Sequence, residues 1–498
     1  MNILDIIDNI KVKTIYGNLP ESVNNISQDS RKVGEGDVFV AIKGYTVDGH
    51  NYIEKVIEQG AALVIASRYE NYNVENCAVI VIKEHEIEKV ASMIAKKINE
   101  GSNVHTVAVT GTNGKTSIST LVHNMLRTLG ESSAYIGTNG FGKNDAEPVY
   151  FGNTTPDVVT LHNQIGELRR DNIKNLAFEA SSHAMALGRI YNVDIDVAIF
   201  TNLTHEHLDF HGDMQTYAYD KSLLFSTLGN NLSEAKYGVL NKDDSYYKVI
   251  SKCLYQQEIN YSIVDNTADF YAYNIKQYKE DKVYKTSFTL NSPEGTFECT
   301  TNYIGDFMVS NVLAALIAVW VKGYSVEQLV AILPKLGALY GRMEIIGDDL
   351  PIDIISDFAH TPDGYEKLLE ATREMRKGKR TLLVTGMGGG RDISKGPLIG
   401  DIISEADYVV ITTDSPRDED VEVLMGSIEK GMTHKNYEKV WFRTDAVKRI
   451  IELSEPGDVV ILASKGREDY EILQGGKKVW HSDPIVAVEE AKKKFNIK

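Results

Sequence analysis

Gly111-Thr112-Asn113-Gly114-Lys115-Thr116-Ser117 is the stretch whose reading decides the fold. It follows Thr106-Val107-Ala108-Val109-Thr110, a run of strand-forming residues. It precedes Ile118 to Leu129, where apolar residues recur at helical spacing until Gly130 closes the segment. A glycine loop between a strand and a helix presents successive backbone N–H groups to an anion, and the helix N-terminus adds its positive dipole end. Gly111 and Gly114 let the backbone come close, Lys115 reaches the β- and γ-phosphates, and the Thr116 hydroxyl suits Mg²⁺. The chain departs from G-x-x-x-x-G-K-[ST] in one place: Val109 stands where the first Gly would be, with Gly111 instead. ATP is the expected nucleotide.

Outward from the loop, Asn175–Phe178 and Val197–Phe200 read as further parallel strands. Residues 260–303 alternate β-branched and polar side chains, which predicts a small antiparallel patch, and Asn311 to Val321 reads as an apolar helix. Upstream, Val38–Ile42 and Ala62–Ala66 read as strands and Glu86–Asn99 as a helix, before a linker at Glu100-Gly101-Ser102-Asn103. A second αβ alternation begins near Gly341. Its strands are expected at Ile352–Ile355, Thr381–Thr385, Tyr408–Thr412 and Val459–Ala463, with a helix at Asp363–Arg376. The fold class is therefore α/β in three domains, 1–102, 103–340 and 341–498. The central one is a P-loop ATPase-like parallel sheet and the last is Rossmann-like.

The 498 residues carry 70 acidic and 53 basic side chains, a net charge of −17. That balance offers no general pull on nucleic acid, which binds through clustered Lys and Arg. Cys77, Cys253 and Cys299 have no metal-type spacing and fit a reducing compartment. Met1-Asn2-Ile3-Leu4-Asp5 does not read as a signal peptide, and no run approaches the ~20 apolar residues of a membrane span. A cytoplasmic monomer with no membrane insertion is expected.

Three downstream clusters bear on the chemistry. Glu179-Ala180-Ser181-Ser182-His183 places a carboxylate at a strand end, where it can hold a hard cation beside phosphates or simply cap a turn. His205, Glu206, His207, Asp209 and His211 suggest a metal, yet four-ligand zinc spacing is missing, and Mg²⁺ or Mn²⁺ suits them as well. Lys221 opens the apolar Ser222-Leu223-Leu224-Phe225, a place where a lysine is ordinarily a surface residue.

Taken in order, GTNGKTS, NTTP (Asn153 to Pro156), EASSH, NLTHEHLDFHG, DKSLLF, DFAHTPD (Asp357 to Asp363), GMGGGRD (Gly386 to Asp392), DSPR (Asp414 to Arg417) and SKGRED (Ser464 to Asp469) form one series. The whole chain resembles the Mur ligases, and most closely the MurE-type UDP-N-acetylmuramoyl-tripeptide synthetases. The resemblance implies an ATP-dependent acid–amino-acid ligase of peptidoglycan precursor synthesis. Its partners would be UDP-N-acetylmuramoyl-L-alanyl-D-glutamate and a diamino acid, joined through an acyl phosphate. It also assigns roles. The first domain would hold the UDP part, with Ser30, Thr154, Thr155, Ser181 and Arg189 on the UDP-substrate. ATP would be held by Gly111, Thr112, Asn113, Gly114, Lys115, Thr116, Ser117, Asn311, Arg342 and Asp357. Thr116, Glu179, His207 and a carbamylated Lys221 match Mg²⁺ ligands; Lys115, Lys221 and His207 are the catalytic set. The family's first Asn before Asn311 is replaced here by Met308.

For the amino acid, the resemblance assigns Arg391, Asp414, Ser415, Arg417, Ser464 and Glu468. Because Arg417 is retained, and guanidinium suits bidentate pairing with a second carboxylate, meso-diaminopimelate is the expected substrate, with L-lysine next. Two other classes fit parts of the pattern: a non-catalytic nucleotide-binding paralogue, and a ligase like folylpolyglutamate synthetase, which would lack the segment ahead of the ATP loop.

Overall fold

The computed structural model describes residues 2–44, 47–376 and 378–497. At its centre the strand His105–Thr110 lies between Asn175–Glu179 and Val197–Phe200, parallel to both. Val109 stands opposite Glu179 on one side and Ile199 on the other. The three strands therefore end together, and Gly111, Ala180 and Thr201, each just past the end of its strand, meet at one edge. In an open parallel sheet that carboxyl edge is where ligands bind.

The central sheet has ten strands. Tyr237–Asn241 and Gln257–Ser262 continue it in parallel, and Phe270–Glu280, Val283–Ser292 and Gly295–Thr301 extend it as an antiparallel ribbon. The antiparallel patch predicted for 260–303 is thus an extension of the nucleotide sheet and not a separate unit. Helix Lys115–Thr128 buries Ile118, Leu121, Val122, Met125 and Leu126 against helix Asp306–Trp320. The second helix is apolar on nearly every face and lies inside the core. It starts earlier than its apolar run suggests, because Gly305, at φ 97, turns the chain into Asp306 and brings Met308 into the first turn. Each large apolar side chain so buried contributes about 1.5–3 kcal/mol.

The N-terminal sheet has five strands in the order Thr14–Tyr16, Ala78–Val81, Leu63–Ala66, Val38–Val40, Ile26–Ser27. Its core includes Ile87, Val90 and Ile94 of helix Ile87–Ile98, and also Val158 and Val159 of the next domain. Asn163 Nδ2 donates to the Ile26 carbonyl at 3.1 Å, so helix Val158–Arg170 serves both regions.

The C-terminal sheet has six strands, ordered Glu344–Ile346, Asp353–Ser356, Val459–Leu462, Thr381–Met387, Tyr408–Thr413, Tyr437–Lys439. Only the first pair is antiparallel. This is the expected Rossmann-like arrangement. A hairpin, Tyr470–Ile472 with Lys478–Trp480, lies beyond it. The fully buried Arg443 bonds Asp483 through Nε (3.1 Å) and an amino group (2.5 Å), and its other amino group donates to Ser464 Oγ at 3.0 Å. Among the described residues no helix is long and apolar enough to cross a membrane.

Candidate active site

A cavity of about 1160 Å³ opens where the carboxyl edges of the central and C-terminal sheets face each other. That exceeds the ~300–1,000 Å³ of an ordinary small-molecule pocket and leaves room for more than one ligand. The P-loop forms its floor. Gly111 sits at φ 151, and a Cβ there would fall 1.8 Å from Thr201 Oγ1. Gly114, left-handed at φ 88, begins the helix, and a Cβ there would fall 2.7 Å from Asn311 Oδ1. Both positions require glycine. The loop is pinned from the neighbouring strand: Asn113 N–H donates to Asn202 Oδ1 (2.9 Å), and Thr201 Oγ1 donates to the Asn113 carbonyl (2.6 Å). Lys115 Nζ donates to the carbonyls of Gly111 (2.9 Å) and Thr112 (2.7 Å), and burial lowers its pKa.

Glu179 ends its strand almost fully buried. It accepts from Thr138 N–H at 2.8 Å and Thr138 Oγ1 at 3.2 Å. His207 is left-handed, at φ 55, just ahead of the short helix Leu208–His211. Burial lowers its pKa to about 3, and its ring stands edge-on to His183, with centroids 4.8 Å apart. Helix Met214–Ser226 is capped by Asp213, which accepts from Thr216 N–H. On this helix Lys221 points inward. Lys221 Nζ lies 4.6 Å from the Tyr217 ring centre and donates to the Gly111 carbonyl at 2.7 Å. Burial first, then the charge of Lys115, push its pKa well below the usual lysine range. The surface lysine that local sequence suggests is in fact 1 % exposed. Among the described residues no three His, Cys, Asp or Glu side chains converge as a metal cage by themselves.

The C-terminal domain closes over this floor. The Arg342 guanidinium stacks on Phe358 at 4.6 Å and donates to Thr116 Oγ1 at 3.0 Å. Asp357 accepts from Met343 N–H and Ala359 N–H, both at 2.7 Å, while burial raises its pKa. Three bridging residues carry no role in the sequence reading. Asp363 accepts from Asn113 Nδ2 (2.8 Å), His360 Nε2 meets Glu206 Oε1 (3.0 Å), and Thr138 orients Glu179. The partners of each bond are far apart in sequence, so no local spacing announces them.

The residues expected on the UDP-substrate divide. Thr155 Oγ1 donates to the Glu179 carbonyl (2.7 Å) and accepts from Ser181 N–H (3.1 Å), and Arg189 donates to the Thr155 carbonyl (2.9 Å). Thr154 and Ser181 line the cavity, whereas Ser30 lies apart on the N-terminal domain, between the ion-paired Asp29 and Arg31.

At the other end, Arg391 and Glu468 line the cavity, but Asp414, Ser415, Arg417 and Ser464 stand behind its wall. Lys465 is fully buried between Asp414 (3.3 Å) and Glu468 (3.5 Å). Burial and then the Asp414 charge raise the Glu468 pKa.

Residues 22–104, 109–319 and 341–466 match, in turn, the Mur ligase catalytic domain, the Mur ligase middle domain and the Mur ligase glutamate ligase domain. A P-loop sheet facing a Rossmann-like domain across one cleft, with these matches, defines an ATP-dependent acid–amino-acid ligase, and the chain belongs to the Mur ligase family. Within it, the chain resembles the MurE-type UDP-N-acetylmuramoyl-tripeptide synthetases. The UDP-N-acetylmuramoyl-L-alanyl-D-glutamate–L-lysine ligase of Staphylococcus haemolyticus (strain JCSC1435) is 42% identical over 497 residues, 99% of each chain. The enzyme of the same name from Staphylococcus aureus (strain MW2) is 42% identical, over 98% of this chain and 97% of its own. A solved UDP-N-acetylmuramoyl-L-alanyl-D-glutamate–2,6-diaminopimelate ligase superposes with a TM-score of 0.69 at 28% identity, covering 99% of both chains.

These relatives overturn the expected preference for meso-diaminopimelate: at 42% identity over the full chain they are L-lysine ligases. The physical reason lies in Arg417. Its guanidinium donates to the Gly389 carbonyl of its own chain and does not line the cavity, so its retention does not announce a second substrate carboxylate.

Proposed function

We propose that this protein adds L-lysine to the D-glutamate of UDP-N-acetylmuramoyl-L-alanyl-D-glutamate in the cytoplasm, as a step in making peptidoglycan precursor. The observation that carries this reading is the fixed charge at the distal end of the amino-acid pocket. Asp414 and Glu468 share the one buried Lys465, so these three side chains carry a net negative charge; the Arg417 guanidinium does not line the cavity to offset it, and Arg391, which does, is reserved for the α-carboxylate. An ammonium complements that surplus; a distal end that also bears a carboxylate does not. Full-length similarity to L-lysine ligases supports the same choice.

The substrate carboxylate attacks the γ-phosphate of ATP, ADP leaves, and an acyl phosphate forms. The lysine amine then attacks the activated carbonyl, and phosphate leaves as the amide forms and the amine loses a proton. The protein supplies placement and charge. Lys115 and the loop N–H groups hold the phosphates. Asn311, Arg342 and Asp357 hold the rest of the nucleotide, Arg342 from the closing domain. Thr154 and Ser181 hold the peptidyl part of the UDP-substrate, Thr155 and Arg189 fix the backbone that presents them, and Ser30 holds the UDP end. Arg391 takes the lysine α-carboxylate; Glu468 reads the distal amine, with Asp414 adding negative charge from behind the wall, while Ser415 and Ser464 keep their loops in place. We assign these roles to units spanning 1–102, 103–340 and 341–498.

Mg²⁺ fits the donors present. It needs only one or two protein carboxylates when phosphates and water complete its shell. Glu179, His207, Thr116 and Lys221 all line the cavity, and the first three would supply oxygen and nitrogen donors to the ion. Lys221 is buried and its pKa is lowered, which favours the neutral amine that takes up CO₂; the carbamate is an anionic oxygen ligand. When bound, the ion offsets charge on the transferring phosphoryl group.

The test is phosphate release by the purified protein with ATP, the UDP-dipeptide and single amino acids. L-lysine alone is expected to support turnover. Turnover with meso-diaminopimelate but not L-lysine overturns the charge argument, and nucleotide binding without release in any mixture makes the chain a non-catalytic paralogue.

A further inference from the structure

Arg417 does not line the cavity, yet its backbone and side chain are tied to two other loops. Ser415 and Arg417 are both left-handed, at φ 52 and φ 54, which side-chain-bearing residues adopt only where neighbours over-determine them. The neighbours are two other loops. Gly389 N–H donates to the Ser415 carbonyl at 3.1 Å, and Gly390 N–H donates to Glu419 Oε1 at 2.5 Å. A Cβ on Gly389 would fall 2.0 Å from the Pro416 carbonyl oxygen, and one on Gly388 2.8 Å from that of Asp414. The glycine turn therefore lies with its backbone flat against the Asp414–Arg417 backbone. From behind, Arg417 N–H donates to the Ile472 carbonyl (3.0 Å) and Ile472 N–H to Ser415 Oγ (3.1 Å). The guanidinium closes the arrangement by donating to the Gly389 carbonyl. The next side chain along that turn is Arg391, which enters the cavity where Arg417 does not.

We infer that Arg417 is a positioning residue that fixes the Gly388–Gly390 turn and so aims Arg391 at the amino-acid substrate. The inference rests on the reading that Arg391 takes the α-carboxylate. Three successive glycines have more backbone freedom to lose than any other sequence. A tie at their middle carbonyl restricts that freedom before substrate arrives, and a charged donor is the stronger kind. Without it, Arg391 is presented in many orientations, and the loss falls on amino-acid binding while the ATP end is untouched.

The experiment is a double-mutant cycle on the full chain: Arg417→Ala, Arg391→Ala and the pair, with Arg417→Lys as the conservative variant. Arg417→Ala is expected to raise KM for the amino acid by about 10-fold, the scale of one charged hydrogen bond, with kcat and KM for ATP within about twofold. Arg417→Lys, which still donates to one carbonyl, recovers most of the loss. In the Arg391→Ala background, Arg417→Ala has no further effect. Multiplying effects overturn the inference, as does an unchanged KM for the amino acid or an equal rise in KM for ATP. If Arg417→Ala does not fold, Arg417→Gln carries the same comparison. The wild-type amino-acid panel is run first: failure with L-lysine sinks the functional reading alone, and the cycle is then run with whichever amino acid is accepted.

Discussion

The two ends of the cavity each hold a cation bonded to a backbone carbonyl beside a glycine turn, and the two cations do different work. At the ATP end, Lys115 bonds the Gly111 and Thr112 carbonyls while lining the cavity. At the amino-acid end, Arg417 bonds the Gly389 carbonyl from behind the wall. The first end is centred on one contiguous loop, Gly111–Ser117, which lies among the tips of neighbouring parallel strands. The second is assembled from three segments, around Gly389, Ser415 and Ser464, that meet only in the folded domain. A motif residue keeps its meaning where local backbone dictates its surroundings, and can lose it where distant segments do. Substitutions at one end should therefore disturb that end and spare the other.

The largest expected effect is on the scaffold of the amino-acid end. Asp483→Ala leaves the Arg443 guanidinium fully buried and unpaired, at a cost of about 3–5 kcal/mol. Chemical denaturation of both proteins measures it. The pH dependence has a definite sign. Burial alone would raise the Asp483 pKa, but the Arg443 charge and the Arg443 and His481 hydrogen bonds win and lower it. A lowered carboxyl contributes its stability in full above the unfolded value of about 3.9, and loses it as pH falls through the folded value. The gap between wild type and variant should therefore hold at neutral pH and narrow only in strong acid. A gap that closes near pH 6 would mean that something other than this carboxylate is being measured.

Lys115→Ala comes next. Removing one preorganised charge from a phosphoryl-transfer site lowers kcat by about 10²–10³-fold. Unfolding should stay near wild type, and so should KM for L-lysine, because the amino-acid end lies elsewhere along the cavity. Retained turnover sinks the phosphate-grip assignment. A matching rise in KM for L-lysine would couple two ends that the fold builds from separate segments.

The same contrast explains what was legible in the sequence. The loop, Glu179 and the nearby strands are legible because each functional residue ends or directly follows a strand that announces itself: Val109 is registered on Glu179, and Thr110 on Phe200. Lys221 is legible by motif resemblance alone, since its burial comes from the packing of its helix against the phosphate loop, which no local pattern reveals. Asp363, His360 and Thr138 escaped because their partners Asn113, Glu206 and Glu179 belong to other segments. The antiparallel ribbon was read as strands, but its continuity with the central sheet rests on the short pairing of Tyr261 and Ser262 with Phe270 and Tyr271. Arg417 was read from its motif, and its bond to Gly389 could not be seen there.

Met308 gives the smallest effect and the finest test of independence. The family's Asn is absent at this place, yet the Met308 thioether accepts from Asn311 Nδ2 at 3.5 Å, so a weak sulfur acceptor orients the amide. The same amide presses its oxygen toward Gly114 of the phosphate loop. Met308→Leu keeps the volume of a fully buried side chain, so stability should fall by less than about 1.5 kcal/mol. What it removes is the acceptor. A neutral hydrogen bond of this kind is worth about 0.5–1.5 kcal/mol, which corresponds to a rise in KM for ATP of roughly 2- to 10-fold, and the weak sulfur acceptor sets the expectation at the low end. The kcat and the KM for L-lysine should not move, because Met308 reaches the reaction only through Asn311. A change confined to L-lysine would place the Met308–Asn311 pair at the wrong end of the cavity and break the comparison at its most sensitive point.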